Sequence, residues 1–230
     1  MKISIIIPVL NEQKNSENII KYLRENANKE NIKEIIFVDG GSIDKTVEVI
    51  TKYPEVILIK SERGRAIQMN SGAKKASGDI LYFLHCDSFP PKHFDTFMIQ
   101  SVLKGYSSGC FKMKFDSNHI VLKISEWFTK FNSKSCRGGD QSLFVTKKVF
   151  QNLKGFNEDF VIYEDNEFIF RLYKETKFTV IQKNIITSSR RYRENGFFKL
   201  QFHFMIIHVL YRLKIFNQTQ IVTYYKRNII

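Results

Sequence analysis

Gly78-Asp79-Ile80-Leu81-Tyr82-Phe83-Leu84-His85-Cys86-Asp87 holds a whole strand and its exit. Its five consecutive apolar residues, Ile80 to Leu84, predict a strand buried on both faces, in the middle of a sheet covered by helices on each side. The run ends in His85-Cys86-Asp87, and a loop with Pro90 and Pro91 follows. Ligands of open α/β sheets bind just outside the carboxyl ends of the strands, so Asp87 stands where chemistry is expected. A carboxylate there can hold a divalent cation, which in turn holds phosphate oxygens. Taken alone, Asp87 fits equally well a residue that caps the next turn.

The flanking sequence shifts that balance. Ile3 to Val9 is a second buried strand, expected to break at Pro8 and open into Asn11-Glu12. Ser16 is the expected cap of a helix whose apolar positions Ile19, Ile20, Leu23 and Ala27 recur at helical spacing. Glu34 to Val38 is the next strand, ending in Asp39-Gly40-Gly41-Ser42-Ile43-Asp44-Lys45-Thr46 before a short helix. Val56 to Ile59 is a further strand, and a helix runs from Gly64-Arg65 to about Ala76. Strand alternates with helix through residue 87, which predicts a parallel sheet with right-handed crossovers. Three strands therefore drop polar loops at one sheet edge: Asn11-Glu12, Asp39 with its glycines, and Asp87. That convergence reads as a nucleotide pocket.

Beyond Asp87 the alternation loosens. Helices are expected over Lys92 to Leu103 and Ile120 to Phe131, the latter carrying the single Trp127, with strands over Cys110 to Phe115 and Leu143 to Thr146. Cys136-Arg137-Gly138-Gly139-Asp140-Gln141 is a polar, glycine-bearing loop, and Tyr163-Glu164-Asp165-Asn166-Glu167 opens a helix through Tyr173.

Composition bounds the function. At 230 residues, 43% hydrophobic and 26% charged, the chain is expected to be one globular domain with an appended tail. Its three cysteines, Cys86, Cys110 and Cys136, show no CxxC spacing and point to a reducing compartment rather than a disulfide framework or zinc site. Met1-Lys2 leads directly into a strand, so no leader is expected, and no apolar run approaches the roughly 20 residues of a membrane span. The expected location is cytoplasmic. A net charge of +13 implies an anionic partner: phosphates, nucleic acid or an acidic membrane surface. From Ser188 to Ile230 eight Lys or Arg face the single acid Glu194, which puts +7 of that charge in the tail.

No Gly-x-Gly-x-x-Gly follows the first strand, and there is no P-loop, no Gly-x-Ser-x-Gly elbow and no metalloprotease helix. What is left is a phosphate-facing site of carboxylates, glycines and arginines. Asp39-Gly40-Gly41-Ser42 suits a turn that approaches a flat base, with Asp39 accepting from a base N–H; it also suits a plain strand-to-helix turn capped by Ser42 or Asp44. Arg65 opens a helix, where side chain and free backbone donors favour phosphate, although an exposed basic helix is commoner. Glu164-Asp165 sits at a helix N-terminus, where carboxylates are stabilised in any case, and also suits a general base for an acceptor hydroxyl.

The ordered set Pro8-Val9-Leu10-Asn11-Glu12, Val38 to Thr46, Gly64-Arg65-Ala66, Leu84-His85-Cys86-Asp87, Gly139-Asp140-Gln141 and Glu164-Asp165 resembles a family 2 glycosyltransferase of the GT-A fold. The tail, Thr187 to Tyr192 and Leu210 to Leu213, further resembles a bacterial subgroup associated with arsenosugar-type biosynthesis. The resemblance implies a GT-A-like (Rossmann-like) α/β domain over 1–187, with a mainly parallel central sheet flanked by helices. Its nucleotide-binding half is 1–87 and its acceptor half 88–187, and 188–230 is a basic amphipathic helical tail. It implies a hexosyltransferase-type enzyme, inverting and assisted by a divalent cation (Mn²⁺ or Mg²⁺), that moves a sugar from a nucleotide-diphosphate donor, UDP-linked, to a small or lipid-linked acceptor.

By the same resemblance Pro8, Asn11, Glu12, Asp39, Gly40, Arg65, His85 and Asp87 bind the donor, with Asp87 also the metal ligand. Asp165, with Glu164, is catalytic; Gly139, Asp140, Gln141, Arg190 and Arg191 line the sugar and acceptor side. Two positions depart from the family pattern: the usual second acid of the first motif is Gly40, and the first acid of the Asp-x-Asp motif is His85. A nucleic-acid-binding protein and a pseudoenzyme that binds the donor without turnover are the alternatives; no recognised nucleic-acid module accompanies the charge.

The tail adds an expectation of its own. From Phe197 to Phe216, Lys199, His203 and Lys214 form one polar stripe and Gln201, His208 and Arg212 another, roughly opposite at 100° per residue. Apolar surface lies between them on both sides. One side is expected to pack on its own domain, the other on a second copy or on the inner face of an anionic membrane; the alternative is that both sides are covered within the monomer.

Overall fold

In the computed structural model, residues 1–213 and 215–229 are described. β1 (Ile3–Val9), β2 (Ile32–Asp39), β3 (Val56–Lys60) and β4 (Ile80–Phe83) run parallel in the spatial order β3-β2-β1-β4. Between them stand α1 (Gln13–Asn26), α2 (Thr46–Thr51) and α3 (Arg65–Lys75). The side chains of β4 alternate as the pleat requires. Ile80, Tyr82 and Leu84 join α1, α2 and α4 (Phe94–Leu103) in one buried cluster, and Leu81 and Phe83 join α3 in the other. The apolar run is thus buried on both faces, as its sequence predicts.

The second half turns the sheet mixed. β7 (Leu143–Thr146) pairs antiparallel with β4, and β6 (Ser108–Phe115) antiparallel with β7. β8 (Phe178–Thr187) lies parallel to β6, and β5 (Ser88–Phe89) closes the edge antiparallel to β8. The sheet expected to be mainly parallel is mixed: β3-β2-β1-β4 and the β6–β8 pair are parallel, and β4–β7, β7–β6 and β8–β5 are antiparallel. Periodicity reports burial, not strand direction. α5 (Ile120–Phe128), α6 (Lys147–Asn152) and α7 (Glu164–Glu175) complete the body, and α8 (Arg190–Asn195), α9 (Phe197–Arg212) and α10 (Gln218–Asn228) form the tail.

Several local expectations need correction. β1 continues through Pro8, which pairs with Val38; β4 has already left β1 after Ile6, so the proline sits where only one side is paired. α1 begins at Gln13, a turn before Ser16. The first donors find partners outside the helix: Glu12 N–H donates to Thr46 Oγ1 (2.8 Å) and Gln13 N–H to Asp44 Oδ2 (3.2 Å). Ser16 instead turns its hydroxyl back onto the Glu12 carbonyl (2.8 Å). The helix of Trp127 stops at Phe128, short of Phe131. Thr129 draws the chain inward there, accepting from Met113 N–H (3.1 Å) and donating to the Glu126 carbonyl (2.7 Å).

The tail begins where β8 ends, yet it shares a core with the body. Leu200 and Ile207 of α9 and Ile221 of α10 bury against Met113, Phe115 and Leu122. The polar positions of α9 are used inside the tail and against α7: Gln201 accepts from Tyr192 Oη (3.0 Å), His203 bonds Tyr224 Oη (2.8 Å), and His208 Nδ1 meets Tyr163 Oη. Lys214, assigned to the first polar stripe, lies outside the described residues.

Gly109 of β6 has no room for a side chain. A Cβ there would stand 2.5 Å from the Thr179 carbonyl oxygen and 2.7 Å from the Phe144 ring. Gly109→Ala should cost about 1–3 kcal/mol through overpacking, read as a drop of several degrees in melting temperature by calorimetry.

Candidate active site at the sheet edge

The chain steps outward from β1 to β2 to β3, then returns to the other side of β1 with β4. The reversal opens a crevice between the carboxyl ends of β1 and β4, where α/β sheets bind ligands. Two loops are laced together beside it. Asn11, in the left-handed region (φ 56°), donates its N–H to Ser42 Oγ (2.9 Å) and accepts from Ile43 N–H (2.9 Å). Asp39 is buried at the end of β2, and its carboxylate accepts from the N–H groups of Gly41 (3.2 Å) and Ser42 (3.1 Å). Asp39 thereby shapes the glycine turn. Behind it, Gln68 of α3 donates to the carbonyls of Val9 (2.9 Å) and Val38 (2.8 Å), tying β1 to β2. A Cβ on Gly40 would lie 2.9 Å from that amide, so Gln68 occupies the space an acid at position 40 would need.

At the exit of β4, His85 Nδ1 stands 3.6 Å from Asp140 Oδ1, in the turn Gly139–Gln141. Burial pushes the Asp140 carboxyl up, but His85, then Arg65 and Arg191, outweigh it and hold it below its ordinary value. Asp87 shifts the opposite way. Burial raises it, with Asp140 and Glu12 adding to the rise against His85 and Arg190. Asp87 thus feels two further carboxylates, Asp140 and Glu12, beside the His85 imidazole.

The acid pair of α7 faces the same crevice from the far side. Tyr163, in the left-handed region (φ 71°), turns the chain into α7, which opens on buried Glu164 and half-buried Asp165. The Glu164 side chain is 1% exposed and its Oε1 lies 3.3 Å from Arg65 Nη1, on a side chain that is 45% exposed. Burial raises the Glu164 carboxyl, Arg65 pulls it back and Asp165 raises it further; the net direction is upward. Asp165 Oδ1 accepts from Asn166 N–H (2.7 Å). Its Oδ2 lies over Gly139, 2.0 Å from where a Cβ would be, and His85 Cε1 lies 3.3 Å from the same point. Asp165, Gly139 and His85 therefore meet across three separate elements.

The remaining predicted residues divide. Arg190 reaches Glu12 (Nη2 to Oε1, 3.1 Å), on the donor-loop side of the crevice, while Arg191 donates to Tyr225 Oη (2.5 Å). Gln141 is buried, and its amide is engaged with Arg137 Nη1 (2.5 Å), the Cys110 thiol (3.3 Å) and the Cys136 carbonyl (2.8 Å). Pro8 stays within β1, one residue before its end. Sequence reasoning missed Gln68, Arg137 and the Tyr163–His208 pair. Gln68 was legible as a polar residue among the inward positions Ala66, Met69, Gly72 and Ala73. Buried Arg137, which holds the glycine loop through the carbonyls of Thr129 (2.8 Å) and Phe131 (2.5 Å), carried no sequence signal.

Among the described residues no three His, Cys, Asp or Glu side chains form a metal cage. Mg²⁺-type sites commonly use one or two carboxylates completed by substrate phosphates. The acidic cluster at Asp87 fits that mode of binding, in which a cation would relieve the mutual repulsion.

A parallel half-sheet joined to a mixed half, with an acidic crevice at the switch point, is the GT-A fold of glycosyltransferases. A family model described as "Glycosyl transferase family 2" matches residues 4–138, and the chain belongs to that family. A dolichyl N-acetyl-alpha-D-glucosaminyl phosphate 3-beta-D-2,3-diacetamido-2,3-dideoxy-beta-D-glucuronosyltransferase from Methanococcus voltae is 26% identical over 81% of this chain. The chain spans 66% of that relative's length and 31% of two others, so it matches about one third to two thirds of these curated relatives. Among solved structures, a Pyrobaculum calidifontis mannosyltransferase in complex with GDP-Man and Mn²⁺ superposes with a TM-score of 0.72 at 14% identity, covering 94% of this chain and 65% of that one. S. aureus TarS in complex with UDP gives 0.68 at 19% identity, over 91% and 66%.

Proposed function

We propose that this chain is an inverting, metal-assisted glycosyltransferase that moves a sugar from a nucleotide-diphosphate donor, UDP-linked, to a hydroxyl of a small or lipid-linked acceptor. The observation that carries this reading is the convergence of Arg65, Asp87, Asp140 and Asp165 on one crevice from the ends of different elements, with the Asp39 turn at the end of the neighbouring strand β2. The nucleotides in the TarS and mannosyltransferase structures and the dolichyl-linked substrate in the methanococcal relative's name support the substrate classes. The likeness of the tail to the arsenosugar-associated subgroup is part of the same proposal.

In this reading Asp39 and the glycine turn take the base, and the acidic cluster at Asp87 would hold a divalent cation. That cation would supply charge neutralisation at the departing phosphate. Arg65, held by Glu164, adds a fixed positive charge near the departing diphosphate, which acts most strongly as negative charge develops there. Asp165 takes the proton from the acceptor hydroxyl as its oxygen bonds to the anomeric carbon. The bond from that carbon to the diphosphate oxygen breaks on the opposite face and the electron pair leaves with the nucleotide. One carboxylate suffices for such a single displacement.

Thermal shift with a panel of nucleotide sugars, with and without Mn²⁺, tests the donor side. A donor at a hundred times its Kd stabilises the chain by about 2.7 kcal/mol. Asp87→Ala should abolish the Mn²⁺-dependent part of that shift. Salt-sensitive binding to oligonucleotides, with no shift from any nucleotide sugar, would replace this reading with a nucleic-acid-binding one.

A further inference from the structure

α5 and α9 lie side by side on the surface, and each turns an apolar stripe outward. On α5 the stripe is Ile120, Ile124, Trp127 and Phe128, with Trp127 53% exposed. On α9 it is Phe198, Phe202, Met205 and Val209, recurring at helical spacing, with Phe198 69% exposed. The two stripes border a shared groove of about 300 Å³. Beyond Trp127 a second groove of about 360 Å³ is lined by Lys112, Lys114, Lys123 and Lys130. Its one acid, Glu126, is already engaged with Phe115 N–H (2.7 Å) and Lys123 (3.3 Å). Lys130 Nζ rests 4.2 Å over the Trp127 ring.

We propose that this face of α5 and α9 is a docking surface for an anionic lipid bilayer. The apolar stripes enter the headgroup–acyl boundary while the lysine groove binds lipid phosphates. Contiguous exposed apolar surface of this kind marks an interaction site. The charge beside it selects the occupant. A second copy meeting this face about a twofold axis through the lysine groove would bring like charges together, whereas an anionic membrane complements it. A tryptophan with an adjacent lysine is also the pairing that settles at a bilayer boundary. Among the described residues no helix is long and apolar enough to cross a membrane, so contact would lie in the surface plane. The docked helix also borders the acceptor side of the crevice: His208 of α9 touches Tyr163, next to Glu164, and Arg212 donates to Ser135 Oγ (2.6 Å) in the segment leading to Gly139.

Vesicle binding tests the surface without donor or acceptor, so its outcome is independent of the proposed transfer. Trp127 is the single tryptophan and serves as the probe. Vesicles of phosphatidylcholine mixed with phosphatidylglycerol should co-sediment the chain and shift Trp127 emission to the blue, an effect that salt weakens; pure phosphatidylcholine should do far less. Each lysine at such a surface is worth roughly fivefold in partition, so Lys123→Gln with Lys130→Gln should weaken binding about thirtyfold. Phe202→Ser, at an exposed position, should weaken it about tenfold. A chain that ignores anionic vesicles at low salt, or binds both lipids equally, overturns the proposal. So does a dimer by light scattering that masks Trp127 and dissociates in Phe202→Ser, since the face would then belong to a second copy.

Discussion

Asp165→Asn should lower sugar transfer about 10²–10⁴-fold, the usual loss for a positioned base, while the donor-induced thermal shift stays close to that of the original chain. The side chain sits at the start of α7, over Gly139 and beside His85, with Oδ1 accepting from Asn166 N–H (2.7 Å). Asn has the same shape and keeps a carbonyl oxygen for that contact, so the turn into α7 should survive. What it lacks is basicity. An acceptor hydroxyl would then keep its proton as the new bond forms, and the loss falls on turnover rather than on donor binding. Single-turnover rates with saturating donor separate the two. Unchanged turnover would move the base elsewhere; donor binding without transfer in the unsubstituted chain, whatever the acceptor, would favour the pseudoenzyme.

Much of the donor side was legible because it obeys local rules. An unbroken apolar run leading to Asp87, and strands leading to Asn11 and Asp39, place three polar loops at one edge as soon as the helices between them are recognised. The second half resists the same reading for physical reasons. β8 pairs with β6 through a register shift that leaves Gln182 and Lys183 unpaired between Ile181 and Asn184. Polar residues in mid-strand erase the alternation on which a strand assignment depends. The direction of β7, and hence the mixed sheet, has no periodic signature at all. Ser16 misled because a free cap residue was visible in the sequence, whereas the actual partners of the α1 donors, Thr46 and Asp44, come from another loop. In the tail, the two polar stripes of α9 were readable, but their use as internal hydrogen bonds to Tyr192, Tyr224 and Tyr163 depends on the fold.

Gly139→Ala should depress turnover about a hundredfold, the order expected when a reacting group is misplaced by an ångström, with little loss of stability. The new methyl would occupy a point 2.0 Å from Asp165 Oδ2 and 3.3 Å from His85 Cε1. Backbone strain is not the cause, since Gly139 does not adopt a positive φ. The neighbouring atoms belong to side chains at the crevice, so the carboxylate can swing aside rather than force the fold apart. That displacement removes it from the acceptor hydroxyl. Gly138→Ala supplies the control, because a Cβ at Gly138 meets nothing within 4 Å. The two variants differ by one position and carry the same added methyl. Equal activity in both would mean that Asp165 works from another orientation, whereas loss confined to Gly139→Ala would tie turnover to the carboxylate held over that glycine.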